Sequence, residues 1–162
     1  MHPTRITSFL ACLLLGAGTY ACASAGSARG DITPSASRSS SRWERHVRDQ
    51  LRQRSDFLTS RSYELSSEVY QGSLDDDESD NLNVTLRGGV RYAFLGVCDN
   101  DCSDVDLRLF DEDGDEVDSD VRTDDWPIVE VTPGHTARYR LKVIMASCSV
   151  SPCFYGVGMY SK

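Results

Sequence analysis

The chain of 162 residues has few of the groups on which familiar active sites depend. It has three histidines, no G-x-S-x-G nucleophile motif and no glycine-rich loop of the kind that cradles phosphate. His46 and His135 are the histidines beyond the first 25 residues, and neither lies in a recognisable catalytic motif. A Ser–His–Asp arrangement needs a base held beside a nucleophile, and cysteine catalysis needs a free thiolate of low pKa. We therefore predict a protein that is not an enzyme, with an unfamiliar active site as the alternative.

Long apolar runs are also scarce. One short run covers residues 9–17; a basic stretch precedes it and the small residues Ala23-Ser24-Ala25 follow it. This arrangement is typical of a secretory signal peptide over residues 1–25, and the run is shorter than the roughly 20 residues that span a bilayer. We predict export to the cell envelope or the extracellular space and no transmembrane segment. The alternative is a lipid anchor on Cys22, although Thr19 stands where bacterial lipoprotein sites usually have leucine.

The spacing of the cysteines indicates how they are bonded. Loss of residues 1–25 would remove Cys12 and Cys22 and leave two close pairs: Cys98, Cys102, Cys148 and Cys153. An even number of cysteines in an exported chain favours disulfides, although three connectivities are possible. We interpret each close pair as a local disulfide, with crossed pairing between the two loops as the alternative. A zinc site with four thiolates is a further alternative, but the C-x3-C and C-x4-C spacings differ from the C-x2-C of zinc ribbons.

Charge is distributed unevenly along the chain, whose net charge is −8. Residues 26–63 carry eight arginines against four acidic residues, whereas residues 64–130 carry twenty-one acidic residues against four arginines. Such an acidic surface repels nucleic acid, so no nucleic-acid partner is predicted. The sequence is compatible with either a protein or a polysaccharide partner.

The segment between the leader and the acidic region is predicted to contain a linker and a helix. Residues 26–40 are rich in serine, glycine and alanine, which predicts a flexible linker. Ser41 and Glu44 form a capping box, which predicts the start of an arginine-rich amphipathic helix over residues 41–62. Its apolar stripe consists of Trp43, Val47, Leu51 and Leu58. We expect the helix to pack on its own domain, with a membrane surface as the alternative.

From Tyr63 onward the apolar period changes from 3.6 to 2. The clearest strand is at residues 137–145, where Arg138, Arg140 and Lys142 alternate with apolar residues. Further strands are predicted at residues 82–86, 90–97, 105–109, 117–121, 128–131 and 154–160. Short strands with turn residues between them predict an all-β sandwich over residues 63–162. Residues 90–97 are apolar on both faces and are predicted to be central, whereas residues 117–121 are polar and predicted to lie at an edge.

Short motifs over about residues 70–160 follow a characteristic order. They are Gly72-Ser73-Leu74, Leu82–Leu86, Gly89-Val90-Arg91-Tyr92, Ser103-Asp104-Val105-Asp106-Leu107, Asp113-Gly114 and Tyr139–Val143. In this order they resemble the bacterial pre-peptidase C-terminal domain. The resemblance implies a jelly-roll-like antiparallel β-sandwich that serves as a binding or accessory module. The paired cysteines depart from the family pattern and are similar to a variant in small stand-alone exported proteins, and no peptidase domain is present.

Calcium is the one cofactor for which the sequence offers candidates. Three aspartates surround Gly114 at alternate positions: Asp111, Asp113 and Asp115. A second group surrounds the first cysteine pair: Asp99, Asp101, Asp104 and Asp106. Calcium prefers several closely spaced carboxylate and carbonyl oxygens. The alternative is that aspartate and glycine here only form tight turns, in which the side chain binds its own backbone.

Aromatic side chains suggest a further binding surface. Trp126, Tyr155 and Tyr160 could form an exposed platform for a sugar or polymer. Tyr92, Phe94 and Tyr139 are instead expected in the core because of their alternation. We therefore predict an exported, non-enzymatic binding or structural module, and the alternative is a calcium-stabilised adhesion or polymer-binding module.

Overall fold

A computed structural model of the chain describes residues 35–66 and 69–162, with side chains from residue 42 onward. The described residues form one helix, α1 (Ser35–Thr59), and nine β-strands. The strands are β1 (Glu64–Leu65), β2 (Tyr70–Leu74), β3 (Ser79–Leu86), β4 (Tyr92–Cys98), β5 (Cys102–Phe110), β6 (Glu116–Asp120), β7 (Ile128–Val131), β8 (Ala137–Cys148) and β9 (Cys153–Ser161). The predicted signal peptide over residues 1–25, including Cys22, lies outside the described residues.

The strands form two antiparallel sheets that pack face to face. In sheet A both β1 and β2 pair with β9, which is followed by β4 and β7; sheet B has the order β3-β8-β5-β6. From β2 to β9 the chain changes sheet at every connection except the one between β5 and β6. The orders β2-β9-β4-β7 and β3-β8-β5-β6 are those of an eight-stranded jelly roll. The predicted jelly-roll-like antiparallel sandwich is thus confirmed.

The main core lies between the two sheets and follows the alternation along each strand. The inward face of β8 is buried at every position: Ala137, Tyr139, Leu141, Val143 and Met145. On β5 the same alternation buries Val105, Leu107 and Leu109. Removal of these apolar side chains from water is the main favourable contribution to folding. The strand predicted at 137–145, the central strand β4 and the polar edge strand β6 all agree with the alternation in the sequence.

The helix covers the outer face of sheet A and creates a second core. Val47, Leu51 and Leu58 are almost completely buried there. They belong to one apolar cluster with Ala93, Leu95 and Val97 of β4 and Tyr160 of β9. Gly156 of β9 lies directly under Val47, and a Cβ atom at this glycine would collide with the valine side chain. The apolar stripe of the helix therefore packs on its own domain, as expected.

The ends of α1 differ from the predicted ones. The helix begins at Ser35, so residues 35–40 of the predicted linker are helical and the Ser41 capping box lies inside the helix. In the sequence Pro34 immediately precedes the helix, and no glycine or proline occurs from Ser35 to Thr59. At the other end Ser62 adopts a left-handed conformation (φ 67°), and the N–H of Tyr63 donates to the carbonyl of Leu58. This is a Schellman motif with serine in the position that glycine usually occupies, and it ends the helix at Thr59.

Two carboxylates of β6 bind the free edge of β7 and so connect the sheets along one side. Asp120 Oδ2 accepts the backbone N–H of Ile128 (2.9 Å), and Asp118 Oδ2 accepts that of Glu130 (2.7 Å). Arg122 also donates two hydrogen bonds to Asp120, at 2.9 and 2.8 Å. The Arg122 hydrogen bond, with that of the Ile128 amide, holds the pKa of Asp120 below its ordinary value. The amides that an edge strand would otherwise expose are therefore occupied.

Truncation of the helix stripe should destabilise the whole domain. Leu58 is fully buried between α1 and sheet A, so Leu58→Ala should lower the free energy of unfolding by about 2–5 kcal/mol through lost burial and the cavity that remains. Gln53→Ala, at an exposed position of the same helix, is the matched control and should change it by less than about 0.5 kcal/mol. Chemical denaturation of both variants measures the difference. Equal stability of the two variants would contradict the docking of α1.

Candidate binding surfaces

Two disulfides lie at one end of the sandwich. Cys98 is bonded to Cys102 and Cys148 to Cys153, each with a Cα–Cα distance of 5.9 Å. The predicted local pairing is confirmed. Crossed pairing and a four-thiolate zinc site are wrong, because all four sulfurs take part in these two bonds.

Each disulfide joins the two sheets. Cys98 ends β4 of sheet A and Cys102 begins β5 of sheet B, whereas Cys148 ends β8 of sheet B and Cys153 begins β9 of sheet A. Cys102 and Cys148 also face each other in the ladder between β5 and β8. The two crosslinks therefore hold the four central strands together at the same end of the domain.

Asp99 lies in the loop that the first disulfide closes, and it is 2% exposed. Its Oδ2 accepts the N–H of Phe154 (3.1 Å), and its own N–H donates to the Phe154 carbonyl (2.9 Å). Its Oδ1 is buried and has no hydrogen-bond partner in the described part of the chain. Burial raises the pKa of Asp99, and the hydrogen bond from the Phe154 amide opposes this effect. Asp99 of the predicted acidic group therefore connects the first disulfide loop to β9.

The raised pKa of Asp99 predicts a pH-dependent effect of Asp99→Asn. A raised folded-state pKa means that the charged carboxylate is unfavourable in the fold, so the wild type loses stability as pH rises through that value. Asparagine keeps an acceptor for the Phe154 amide and carries no charge. The variant should melt at a higher temperature than the wild type at neutral pH, and this gain should shrink as pH falls. Melting curves over a pH series test this, and a gain that grows toward acid pH would contradict it.

The predicted aromatic platform is wrong. Tyr155 and Tyr160 are 2% and 4% exposed, and Trp126 is partly buried. Tyr155 points between the sheets and donates its hydroxyl to Asp80 (2.8 Å), whereas Tyr160 lies under α1. Tyr92, Phe94 and Tyr139 are in the core as predicted.

Two other aromatic rings lie near the surface beside α1. Trp43 stacks on Phe154 with ring centroids 5.2 Å apart and an interplanar angle of 12°. A shallow notch next to this pair is also lined by Glu44 and Gln71, and the Gln71 side chain donates to the Glu44 carbonyl (3.0 Å). The alternation of Phe154 with buried Tyr155 on β9 is the sequence signal that places Phe154 on the outer face.

The outer face of sheet B is the broad surface that no described helix or strand covers. We call it the open face; its outward side chains include Asn81, Asn83 and Thr85 on β3, Arg138, Arg140, Lys142 and Ile144 on β8, Asp104, Asp106, Arg108 and Phe110 on β5, and Val117 and Ser119 on β6. Arg140 crosses the face, because it donates to Asn81 Oδ1 (3.1 Å) while its guanidinium lies 4.1 Å from the centre of the Phe110 ring. Arg108 forms a salt bridge of 3.0 Å with Glu116. The face therefore combines hydrogen-bond donors and acceptors from three adjacent strands.

Two aspartates of the open face each have one oxygen without a hydrogen-bond partner. Oδ1 of Asp104 and Oδ1 of Asp106 are buried and have no hydrogen-bond partner within residues 42–66 and 69–162. Burial raises the pKa of both carboxyl groups, and the charge of Asp104 raises that of Asp106 further. Both residues are partly exposed, so a donor from outside the chain can approach the rest of each carboxyl group.

The candidate calcium residues Asp111, Asp113 and Asp115 lie in the turn between β5 and β6. Asp111 Oδ1 accepts the N–H groups of Asp113 (3.1 Å) and Asp115 (3.0 Å), and Gly114 adopts a left-handed conformation (φ 88°). This is the turn geometry that aspartate and glycine favour by themselves. The described residues contain no group of three or more His, Cys, Asp or Glu side chains arranged to hold a metal ion. Calcium binding at this turn stays a hypothesis beside the plain turn that the sequence also offers.

The two histidines lie on different parts of the surface. His135 Nε2 is 2.7 Å from Glu112 Oε1, and His46 Nε2 is 3.2 Å from Asn100 Oδ1. In the part of the chain that the structure describes, neither ring is hydrogen-bonded to a hydroxyl or a thiol.

No protein-family model and no curated protein matches this sequence. Of the helices in the described residues, none is both long and apolar enough to cross a membrane.

Proposed function

We propose that this protein is an exported, non-enzymatic jelly-roll module that binds a polysaccharide through the open face of sheet B. The observation that carries this proposal is the contrast between the two outer faces of the sandwich. Helix α1 occupies that of sheet A, whereas that of sheet B presents donors and acceptors on three adjacent strands. A surface of this kind is suited to binding an extended ligand that lies across the strands.

The chemistry of the open face favours a hydroxyl-rich ligand. Outward residues recur about every 7 Å along a strand, and neighbouring strands lie about 4.8 Å apart, so the polar groups of β3 and β8 form a regular array. Asp104 and Asp106 lie beside it on β5, where the pairing with β8 shifts register. Sugar hydroxyls can donate to Asp104 and Asp106 and can accept from Arg138 or Lys142. Polar and charged side chains outnumber the apolar Phe110, Ile144 and Val117 on this face, which favours a hydroxyl-rich ligand over an apolar peptide.

The topology supports the resemblance to the pre-peptidase C-terminal domain, because a jelly-roll-like sandwich is what that resemblance implies. In this proposal the chain is a stand-alone relative of that domain and acts as a binding or accessory module without a peptidase. The two disulfides support export, because such bonds persist in oxidising compartments outside the cytosol.

Export can be tested by intact-mass analysis of the protein recovered from the producing cells. The expected product begins at Gly26 and contains no alkylatable thiol until it is reduced, after which its four cysteines react. A lipid on Cys22 would appear as added mass on a chain that begins at that residue. A product that retains residues 1–25, or whose cysteines are alkylated without reduction, would contradict export.

Ligand binding should depend on Asp104 and Asp106, the two partly exposed aspartates of the open face. Neutral glucans and uronic-acid polymers are the probes, and affinity electrophoresis measures the retardation of the protein in each. We expect at least one of these polymers to bind, and Asp104→Ala/Asp106→Ala to weaken that binding at least about tenfold, since each hydrogen bond to a charged group is worth about 1.5–3 kcal/mol. Asp49→Ala on α1 is the control for the loss of an acidic side chain and should bind like the wild type.

Two results would contradict the proposal: a wild type that binds none of these polymers, or a double variant that binds as the wild type does. Melting curves of the double variant establish that it is folded.

A further inference from the structure

The sandwich has open edges at both sides of each sheet, and most of them are short or occupied. The amides of β7 are bound by Asp118 and Asp120. Strand β6 has five residues and a register shift where it meets Leu109 and Phe110. Strands β1 and β2 have two and five residues. Short, irregular or covered edges prevent unwanted strand pairing, because an edge otherwise offers unpaired N–H and C=O groups.

Strand β3 is different from these edges. It has eight residues and pairs with β8 at every residue from Ser79 to Leu86 without a register shift. Val84 and Leu86 are buried beneath it, which fixes its position on the sandwich. It is therefore a long and regular edge, and its other side pairs with no strand in the described residues.

Hydrogen bonding identifies the amides that this edge presents. The N–H of Met145 donates to the Glu78 carbonyl (2.9 Å), so by antiparallel alternation β3 bonds to β8 through its even-numbered residues. The amides of Asn81, Asn83 and Thr85 then point away from β8. The Asn81 amide donates to the side chain of Asp80 (2.7 Å), which agrees with this assignment. Asn83 and Thr85 remain to bind another strand.

We propose that β3 pairs in antiparallel fashion with β3 of a second copy of this chain, which forms a two-fold dimer with one continuous eight-stranded sheet. With the two-fold axis at Asn83, this residue faces its own copy, Asn81 faces Thr85, and Ser79 faces Arg87. Arg87 then lies at the end of β3 where the second copy carries its acidic turn, residues 75–78. No like charges are opposed, and polar pairs of this kind stabilise adjacent strands.

This dimer does not depend on the identity of the ligand, because it rests on the edge of sheet B and not on the chemistry of its face.

Light scattering coupled to size-exclusion chromatography of the exported protein tests the proposal. The wild type should have the mass of two chains. Asn83→Lys places two like charges on the axis and should give the mass of one chain, whereas Ser119→Lys adds the same charge on β6, the opposite edge of sheet B, and should remain dimeric.

A charge-pair experiment adds a result that only facing residues can produce. Asn83→Asp should also be monomeric, and an equimolar mixture of Asn83→Asp with Asn83→Lys should recover the mass of two chains with one of each variant. Circular dichroism confirms that both variants are folded. The proposal is overturned by a monomeric wild type, by a dimer that Asn83→Lys leaves intact, by equal dissociation of the Ser119→Lys control, or by a mixture that stays monomeric.

Discussion

The burial of β4 on both of its faces is the constraint on which the architecture depends. All seven of its residues are buried, and one face packs toward sheet B while the other packs under α1. A strand that is apolar on both faces cannot border water, so the sandwich needs a third layer on this side. Val47, Leu51 and Leu58 supply this layer. As a result the described arginine side chains of α1, from Arg42 to Arg54, point outward, and the sheet without a helix becomes the exposed one.

In the jelly-roll order, contacts at the ends of the sandwich help to hold together strands that are far apart in the sequence. Strands that are neighbours in space are distant in sequence; Cys98, for example, faces Tyr155. The entropy lost in closing such long loops opposes the pairing of these strands. The two disulfides close only short loops, for which the chain-entropy model gives about 2 kcal/mol each. Their location matters as well, because together with the Asp99 bonds to Phe154 they connect β4, β5, β8 and β9 at one end.

Features encoded by local alternation could be predicted from the sequence. The alternation from Ala137 to Met145 identifies both a strand and its buried face, and the same is true of Val105, Leu107 and Leu109. The helix stripe was also predictable, because Val47, Leu51 and Leu58 recur at helical spacing. The local disulfides followed from cysteine spacing and the expected export. Even so, spacing did not exclude the crossed connectivity.

Features that depend on tertiary contacts could not be predicted. Asp118 and Asp120 look like solvated residues of a polar strand, yet they bind backbone amides of the other sheet. Tyr155 and Tyr160 were candidates for a surface platform, but Tyr155 packs in the core and donates to Asp80, and Tyr160 is covered by α1. The end of α1 was missed by three residues because its left-handed position is Ser62 instead of glycine. Similarly, no sequence pattern identified the buried Oδ1 atoms of Asp104 and Asp106.

The outward arginines of α1 give the molecule a permanent electric dipole. Residues 35–59 carry six arginines against three acidic residues, whereas residues 64–162 carry twenty-one acidic residues against eight basic ones. A molecule with this separation of charge turns in an electric field even though its net charge is negative. Near a negatively charged wall it would rotate until the helix side faces the wall. Sheet B lies on the far side of the sandwich, so it would then be directed toward the surrounding medium.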